Sequence, residues 1–190
     1  MLKAENVIAI DPGAHGVGLS VIVARELALV RYVKGGAFNA KKEYASGMSH
    51  ISALSARVWE TLDFENRMDN RFKSLLDKGT VLVLEWPQVY VPRRSNPYQV
   101  VGEAASLLWL AAVNGAIAAN WAGNVYMVHP HDWKKNVPTE KVLPKRIMQE
   151  LSETEKEVLI EGLQLCPKNL QHNIWDAVGI DLFGAGRGVC

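Results

Sequence analysis

Short apolar runs that stop at a turn or a charge alternate along this chain with stretches of helical spacing. Residues 6–10 (NVIAI) run into Asp11-Pro12-Gly13, the pattern of a buried strand closed by a turn. Residues 17–24 and 27–33 read as two further strands, with Arg25-Glu26 between them. Residues 35–50 are weakly patterned and read as loop. Over 51–76 the apolar positions (Ile51, Leu54, Val58, Leu62, then Met68, Phe72, Leu75, Leu76) recur at helical spacing, and Lys78-Gly79 reads as the helix end. Residues 80–84 (TVLVL) are the plainest buried strand, and they deliver Glu85 at their end. A loop with Pro87, Pro92 and Pro97 precedes a long helix over about 99–120, and a fifth strand over 124–128 ends at His129-Pro130. Helices are predicted over 140–151, 153–163 and 171–183.

Three hairpin-linked strands followed by alternating helices and strands predict an α/β fold with a mixed five-stranded sheet and helices on both faces. The 190 residues fit one domain, and a chain of this size buries a core without disulfides or a structural metal. At 48% hydrophobic and 22% charged residues, disordered and collagen-like classes are excluded. Cys166 and Cys190 form neither a disulfide framework nor a metal-ligand spacing. The N-terminus lacks signal-peptide architecture, and the apolar region 104–122 is broken by Asn114, Gly115 and Asn120, too polar for a membrane span. A cytoplasmic protein with no membrane association is expected.

Candidate chemistry lies at the strand ends. Asp11 and Glu85 each terminate an apolar strand, and ligand sites in open α/β sheets lie at such ends where chain order switches. Two carboxylates on neighbouring strands suit a hard divalent cation; the competing reading is a pair of surface or turn acids. In QHNIWDAVGIDLF, His172 and Asp176 stand four apart and Asn173 and Asp176 three apart, so the three share one helix face. A metal-binding, water-positioning set and a surface pair both fit that spacing. Asp181 falls off that face and is expected to be solvated.

IDPGAHGVGLSVI, with Gly16 and Gly18 after the acid, resembles the first strands of the RuvC-like Holliday junction resolvases of the ribonuclease H-like superfamily. LEWPQVYVPRRSNPYQVVGEAASLLWLAA is similar to that family's second acidic strand end and following helix. VHPHDWKKNVPTEKVLPKRIMQEL resembles its strand, lysine loop and helix, and HNIWDAVGI its C-terminal acidic helix. The four blocks stand in the family's order, nearest to the phage-type members, and cover most of the chain outside about 35–79. The resemblance implies a single RuvC-like nuclease domain over 1–190 with a ribonuclease H-like fold. It implies Asp11, Glu85 and Asp176 as metal ligands, with Lys134 as the active-site lysine that offsets charge on the scissile phosphate. The fourth ligand place is contested between His172 and Asn173, with His172 preferred because imidazole is the better ligand and base. Tyr90 matches an aromatic that the family sets against a base near the branch point, beside an apparent Trp86-Pro87 insertion.

Phosphodiester hydrolysis needs an activated water and neutralised oxygens, which two metals roughly 4 Å apart supply together. Mg²⁺ is the expected cofactor, with Mn²⁺ as a substitute, and no nucleotide cofactor is expected. Net charge is only +1, yet residues 131–146 carry Lys134, Lys135, Lys141, Lys145 and Arg146 against Asp132 and Glu140. Arg93 and Arg94 sit in an acid-free loop after Glu85, whereas residues 149–161 carry five glutamates against Lys156 and read as a face turned away. Basic segments beside the acids suit DNA phosphates, which give affinity without sequence readout. Trp86, Trp133 and Trp175 each neighbour a site residue and suit either base stacking or core packing; Trp59, Trp109 and Trp121 read as core or interface. The leading expectation is a homodimeric endonuclease that cuts four-way DNA junctions, two-fold symmetry matching paired incision. A flap or fork nuclease and a non-catalytic branched-DNA module are the alternatives. A sugar-kinase-like phosphotransferase is disfavoured, because no second phosphate loop is present.

Overall fold

The computed structural model describes residues 2–13, 16–35, 44–75, 79–87, 97–135 and 142–188. Strands β1 (Val7–Gly13), β2 (Gly16–Val23), β3 (Glu26–Lys34), β4 (Val81–Glu85) and β5 (Asn124–Val128) form one sheet in the order β3-β2-β1-β4-β5. β2 pairs antiparallel with both β1 and β3, while β4 pairs parallel with both β1 and β5. This is a mixed, five-stranded α/β sheet with helices on both faces. β1 is where the antiparallel hairpins meet the parallel half, the topological switch point at which such sheets open a crevice.

The helices are α1 (Tyr44–Met68), α2 (Pro97–Ala118), α3 (Pro130–Lys134), α4 (Leu143–Glu150), α5 (Glu153–Leu165) and α6 (Gln171–Gly184). Alternation along β1 sends Val7 and Ala9 into a core shared with α3 to α6, and Ile8 and Ile10 into a second core beneath α1 and α2. Both faces of β1 and β4 are therefore covered, which explains their unbroken apolar runs. No helix among the described residues is long and apolar enough to cross a membrane.

Several boundaries differ from the sequence expectation. The β2–β3 turn is Ala24-Arg25, one residue earlier than expected, and both have positive φ (51° and 72°) without being glycine. Asn6 Oδ1 accepts from the Ala24 N–H at 2.9 Å and the Glu5 carbonyl from the Arg25 N–H at 2.8 Å, which holds the turn from outside. Helix α1 begins at Tyr44, inside the segment expected to be loop, and ends at Met68. There Asp69 caps a separate 3-10 turn (Asn70–Ser74) by accepting from the Arg71 N–H at 2.8 Å. The five-residue α3 was not predicted, since a single turn has no apolar period to read.

Helix α6 lies directly on the strands. A β-carbon at Gly18 would stand 2.0 Å from the Asn173 carbonyl oxygen, and one at Gly179 2.2 Å from the Trp133 ring. Only glycine permits these approaches, and they bring Asp176 down to the end of β1. Asp181, expected to be solvated, is instead fully buried, with the Ser20 hydroxyl on β2 donating to its Oδ2 at 2.5 Å. The reason is that α6 is covered on nearly every side, so leaving the Asp176 face does not reach water. Glu155 on the acidic α5 likewise turns inward, accepting from the Leu27 and Ser152 N–H groups at 2.8 Å and from Arg187.

Candidate active site

The parallel register pairs Ile10 with Leu84, so the next residues, Asp11 and Glu85, emerge side by side where β1 and β4 end. Asp176 descends from α6 onto the same point. One carboxylate oxygen from each of Asp11, Glu85 and Asp176 lies within 4.8 Å of the others. Three like charges this close, at a site where Asp11 and Asp176 are each only 8% exposed, repel strongly unless a cation or protons intervene.

Lys134, the last residue of α3, supplies part of that compensation. Its Nζ lies 3.2 Å from Asp176 Oδ2 and 3.9 Å from Glu85 Oε2, and 4.8 Å from the centre of the Trp133 ring. The Trp133 indole N–H donates to Glu85 Oε2 at 3.0 Å. On the other side of the sheet the Asn114 amide in α2 donates to the Glu85 carbonyl at 2.8 Å, fixing the strand end. Neither Trp133 nor Asn114 was assigned to the site from sequence. Asn114 was visible only as a polar break in an apolar helix, and Trp133 only as the neighbour of Lys134.

One ammonium does not balance three carboxylates. Burial pushes the Asp11 carboxyl well above its ordinary range, Asp176 and Glu85 add to the rise, and Lys134 opposes it. Burial likewise raises Glu85 to about 7 against the pull of Lys134, and raises Asp176 despite the same lysine. Burial alone would lower the Lys134 ammonium, but Asp176 and Glu85 outweigh it and hold it above its usual value. Asp176 Oδ1 is buried without a hydrogen-bond partner among the described residues. An orphaned buried carboxylate oxygen, converging with two more acids, fits a hard divalent cation. Asp11, Glu85 and Asp176 are the residues able to hold it.

The remaining predicted site residues are placed unevenly. His172 is exposed on α6 one turn before Asp176; it acts on the Asp176 charge but is not one of the three convergent ligands. Asn173 is buried, its amide nitrogen 3.2 Å from where a Gly13 β-carbon would sit. Lys135 follows α3 with φ 50°, and it and Lys145 on α4 are exposed. Among the described residues, Lys134 is the lysine or arginine within ion-pair distance of the acids. Tyr90, Arg93, Arg94 and Lys141 lie outside the described residues.

No family model matches the chain, and no curated protein does. Among solved structures, it is similar to Thermus thermophilus RuvC in complex with a Holliday junction substrate, at 17% identity, 96% coverage of each chain and a TM-score of 0.48. It is also similar to the yeast mitochondrial Holliday junction resolvase, at 12% identity over 98% of this chain and 81% of that one, with a TM-score of 0.49.

Proposed function

We propose that this chain is a metal-dependent, structure-selective endonuclease that resolves four-way DNA junctions by paired phosphodiester hydrolysis. The observation that carries the reading is the convergence of Asp11, Glu85 and Asp176 within 4.8 Å at the switch point of the sheet, with Lys134 against two of them. A site of buried acids and one lysine suits charge neutralisation around a phosphate, and nothing in it resembles a serine nucleophile with its base.

In this reading Asp11, Glu85 and Asp176 hold Mg²⁺, with Mn²⁺ as a substitute, and His172 is the fourth ligand, on the solvent side. Metal held by these residues would supply an activated water and neutralisation of the attacking and leaving oxygens. The protein's own groups set the stage. Trp133 fixes one Glu85 oxygen by its N–H, Asn114 anchors the backbone beneath it, and Gly18 lets α6 bring Asp176 close. Lys134 stands ready to exchange part of its carboxylate pairing for a phosphate oxygen of the substrate. Lys135, Lys141, Lys145, Arg93 and Arg94 hold the DNA backbone, and Tyr90 meets a base near the branch point. Symmetric incision of two strands needs two such sites, so the acting form is a homodimer. Its place of work is the bacterial cytoplasm, or the host cytoplasm for a phage-encoded chain.

The test is incision of a labelled four-way junction with Mg²⁺, beside a linear duplex and a flap of the same sequence. Paired symmetric cuts confined to the junction are expected. Equal cutting of the flap would demote the enzyme to a general branch nuclease. Tight junction binding without cutting under Mg²⁺ or Mn²⁺ would mark a non-catalytic module.

A further inference from the structure

We propose that Lys34, with Arg57 beside it, forms a second phosphate-binding subsite that holds a duplex arm of branched DNA at the β3 edge of the sheet. This subsite rests on the nuclease reading and extends its DNA surface to a side that reading leaves bare. The cations assigned to DNA contact, from Arg93 to Lys145, all follow β4 or β5. None of them comes from the antiparallel half of the sheet or from α1. A four-way junction spreads its arms away from the cut in several directions, so backbone contacts on one side alone do not fix its orientation.

The register places the subsite relative to the acids. Gly13 pairs with Gly16 and Gly16 with Lys34, so the row of residues that closes β1 also closes β3. Side chains alternate along a strand, which returns Lys34 to the face of Tyr32, and Tyr32 packs on the same core as Val7 and Ala9. Asp11, two residues after Ala9, belongs to that face too. Two strand spacings across and two residues along put the Lys34 backbone about 12 Å from that of Asp11. One strand of a duplex advances about 3.4 Å per nucleotide along its axis. An arm running from the acids toward β3 therefore brings phosphates about three to four nucleotides from the cut over Lys34.

Arg57 reaches the same strand end from α1, on the opposite face of the sheet. Its Nη1 donates to the Lys34 carbonyl at 2.9 Å, which fixes the guanidinium while leaving most of its donor fork for an anion. Both side chains are exposed, and both line a groove of about 430 Å³ between β3 and α1. Among the described residues no carboxylate lies within ion-pair distance of either, Glu60 on the same groove included. The neighbouring Arg31 differs, since Glu65 at 3.3 Å and Glu161 at 3.2 Å already neutralise it. Two uncompensated cations thus meet at one strand end, and charge complementarity suits them to a phosphate backbone.

The test measures four-way-junction affinity against salt concentration in EDTA, with hydroxyl-radical footprints of the same complexes. Wild type is expected to protect backbone about three to four nucleotides from the cut. Lys34→Gln is expected to lose that protection and to reduce the slope of log K against log salt by about 0.9. Adding Arg57→Gln should bring the reduction to about 1.8. Arg25→Gln removes the same charge at the opposite end of the β2–β3 hairpin and should keep both slope and footprint. Unchanged slope and footprint in Lys34→Gln and in the double variant, or an equal loss in Arg25→Gln, would overturn the subsite. The nuclease reading would then still stand, provided wild type cuts the junction. Wild-type protein that binds no branched DNA, in EDTA or with Mg²⁺, would overturn both.

Discussion

Lys134 and Asp176, 42 residues apart in sequence, meet at 3.2 Å between Nζ and Oδ2. The same ammonium is 3.9 Å from Glu85, so it occupies space that positive charge is drawn to in any state of the site. In the proposed reaction it would both compete with a bound cation and supply charge to a substrate phosphate. Lys134→Met should separate these roles. Junction cleavage is expected to fall about 100-fold or more, the scale for losing one preorganised charge-stabilising donor. Mn²⁺ affinity measured by calorimetry is expected to rise severalfold, because the acids lose their internal counter-ion. Weaker Mn²⁺ binding would mean that Lys134 organises the ligands instead of competing for them.

Glu85 makes the metal-free protein sensitive to pH in a defined direction. Its carboxyl is raised from 4.5 to about 7, chiefly by burial. The folded state therefore binds a proton that the unfolded state has released, and the resulting stability is complete below about pH 4.5 and lost as pH rises through 7. Glu85→Gln cannot ionise. In EDTA its unfolding free energy should gain on wild type by roughly 2 kcal/mol across that window and plateau above it. Urea titrations at several pH values would show this. A constant difference from pH 4 to 8 would count against a buried, proton-holding Glu85.

Asp181 tests a second buried carboxyl, away from the acid cluster. Burial pushes it well above the ordinary carboxylate value, against the opposing hydrogen bond from Ser20, and so favours the neutral acid. Asp181→Asn keeps the shape of the neutral acid, and its unfolding free energy should lie within about 1 kcal/mol of wild type. Asp181→Ala strands the fully buried Ser20 hydroxyl and leaves a void, costing about 2–3 kcal/mol. Equal damage from both substitutions would show that an ionised carboxylate is needed between β2 and α6.

β1 and β4 were legible because both of their faces are buried, which writes them as unbroken apolar runs. That same feature exposed Asp11 and Glu85, the first acids after each run. Asp176 was legible as a helical position but not its depth, which depends on Gly18 and Gly179 permitting contact. Asp181 was misread because a polar residue off the site face was equated with a wet one, although VGIDLF surrounds it with apolar neighbours on a helix buried nearly all round. Trp133 and Asn114 reach Glu85 from segments 48 and 29 residues away, and pairings of that range leave no local pattern. In α5 the acidic run concealed a capping box, Ser152 to Glu155, whose spacing was present in SETE.

Glu155 carries the last expectation. Its carboxylate accepts from the Ser152 N–H at the start of α5, from the Leu27 N–H on β3, and from the Arg187 guanidinium beyond α6. Arg187 also donates to the Glu150 and Arg25 carbonyls at 2.5 and 3.2 Å, so one ion pair joins α5, the β2–β3 turn and the chain after α6. Burial alone would raise this acid. The hydrogen bonds from Arg187, Leu27 and Ser152 outweigh it and hold the carboxyl at about 2. A lowered folded pKa contributes stability that is complete above the unfolded value near 4.5 and lost as pH falls toward 2. Glu155→Gln should therefore cost about 2 kcal/mol at pH 7, allowing for screening on the partly exposed Arg187 side. That cost should shrink measurably by pH 3, where wild type has begun to lose the same charge. An identical deficit at pH 7 and pH 3 would assign the loss to packing of the Gln side chain and leave the ion pair without a stabilising role.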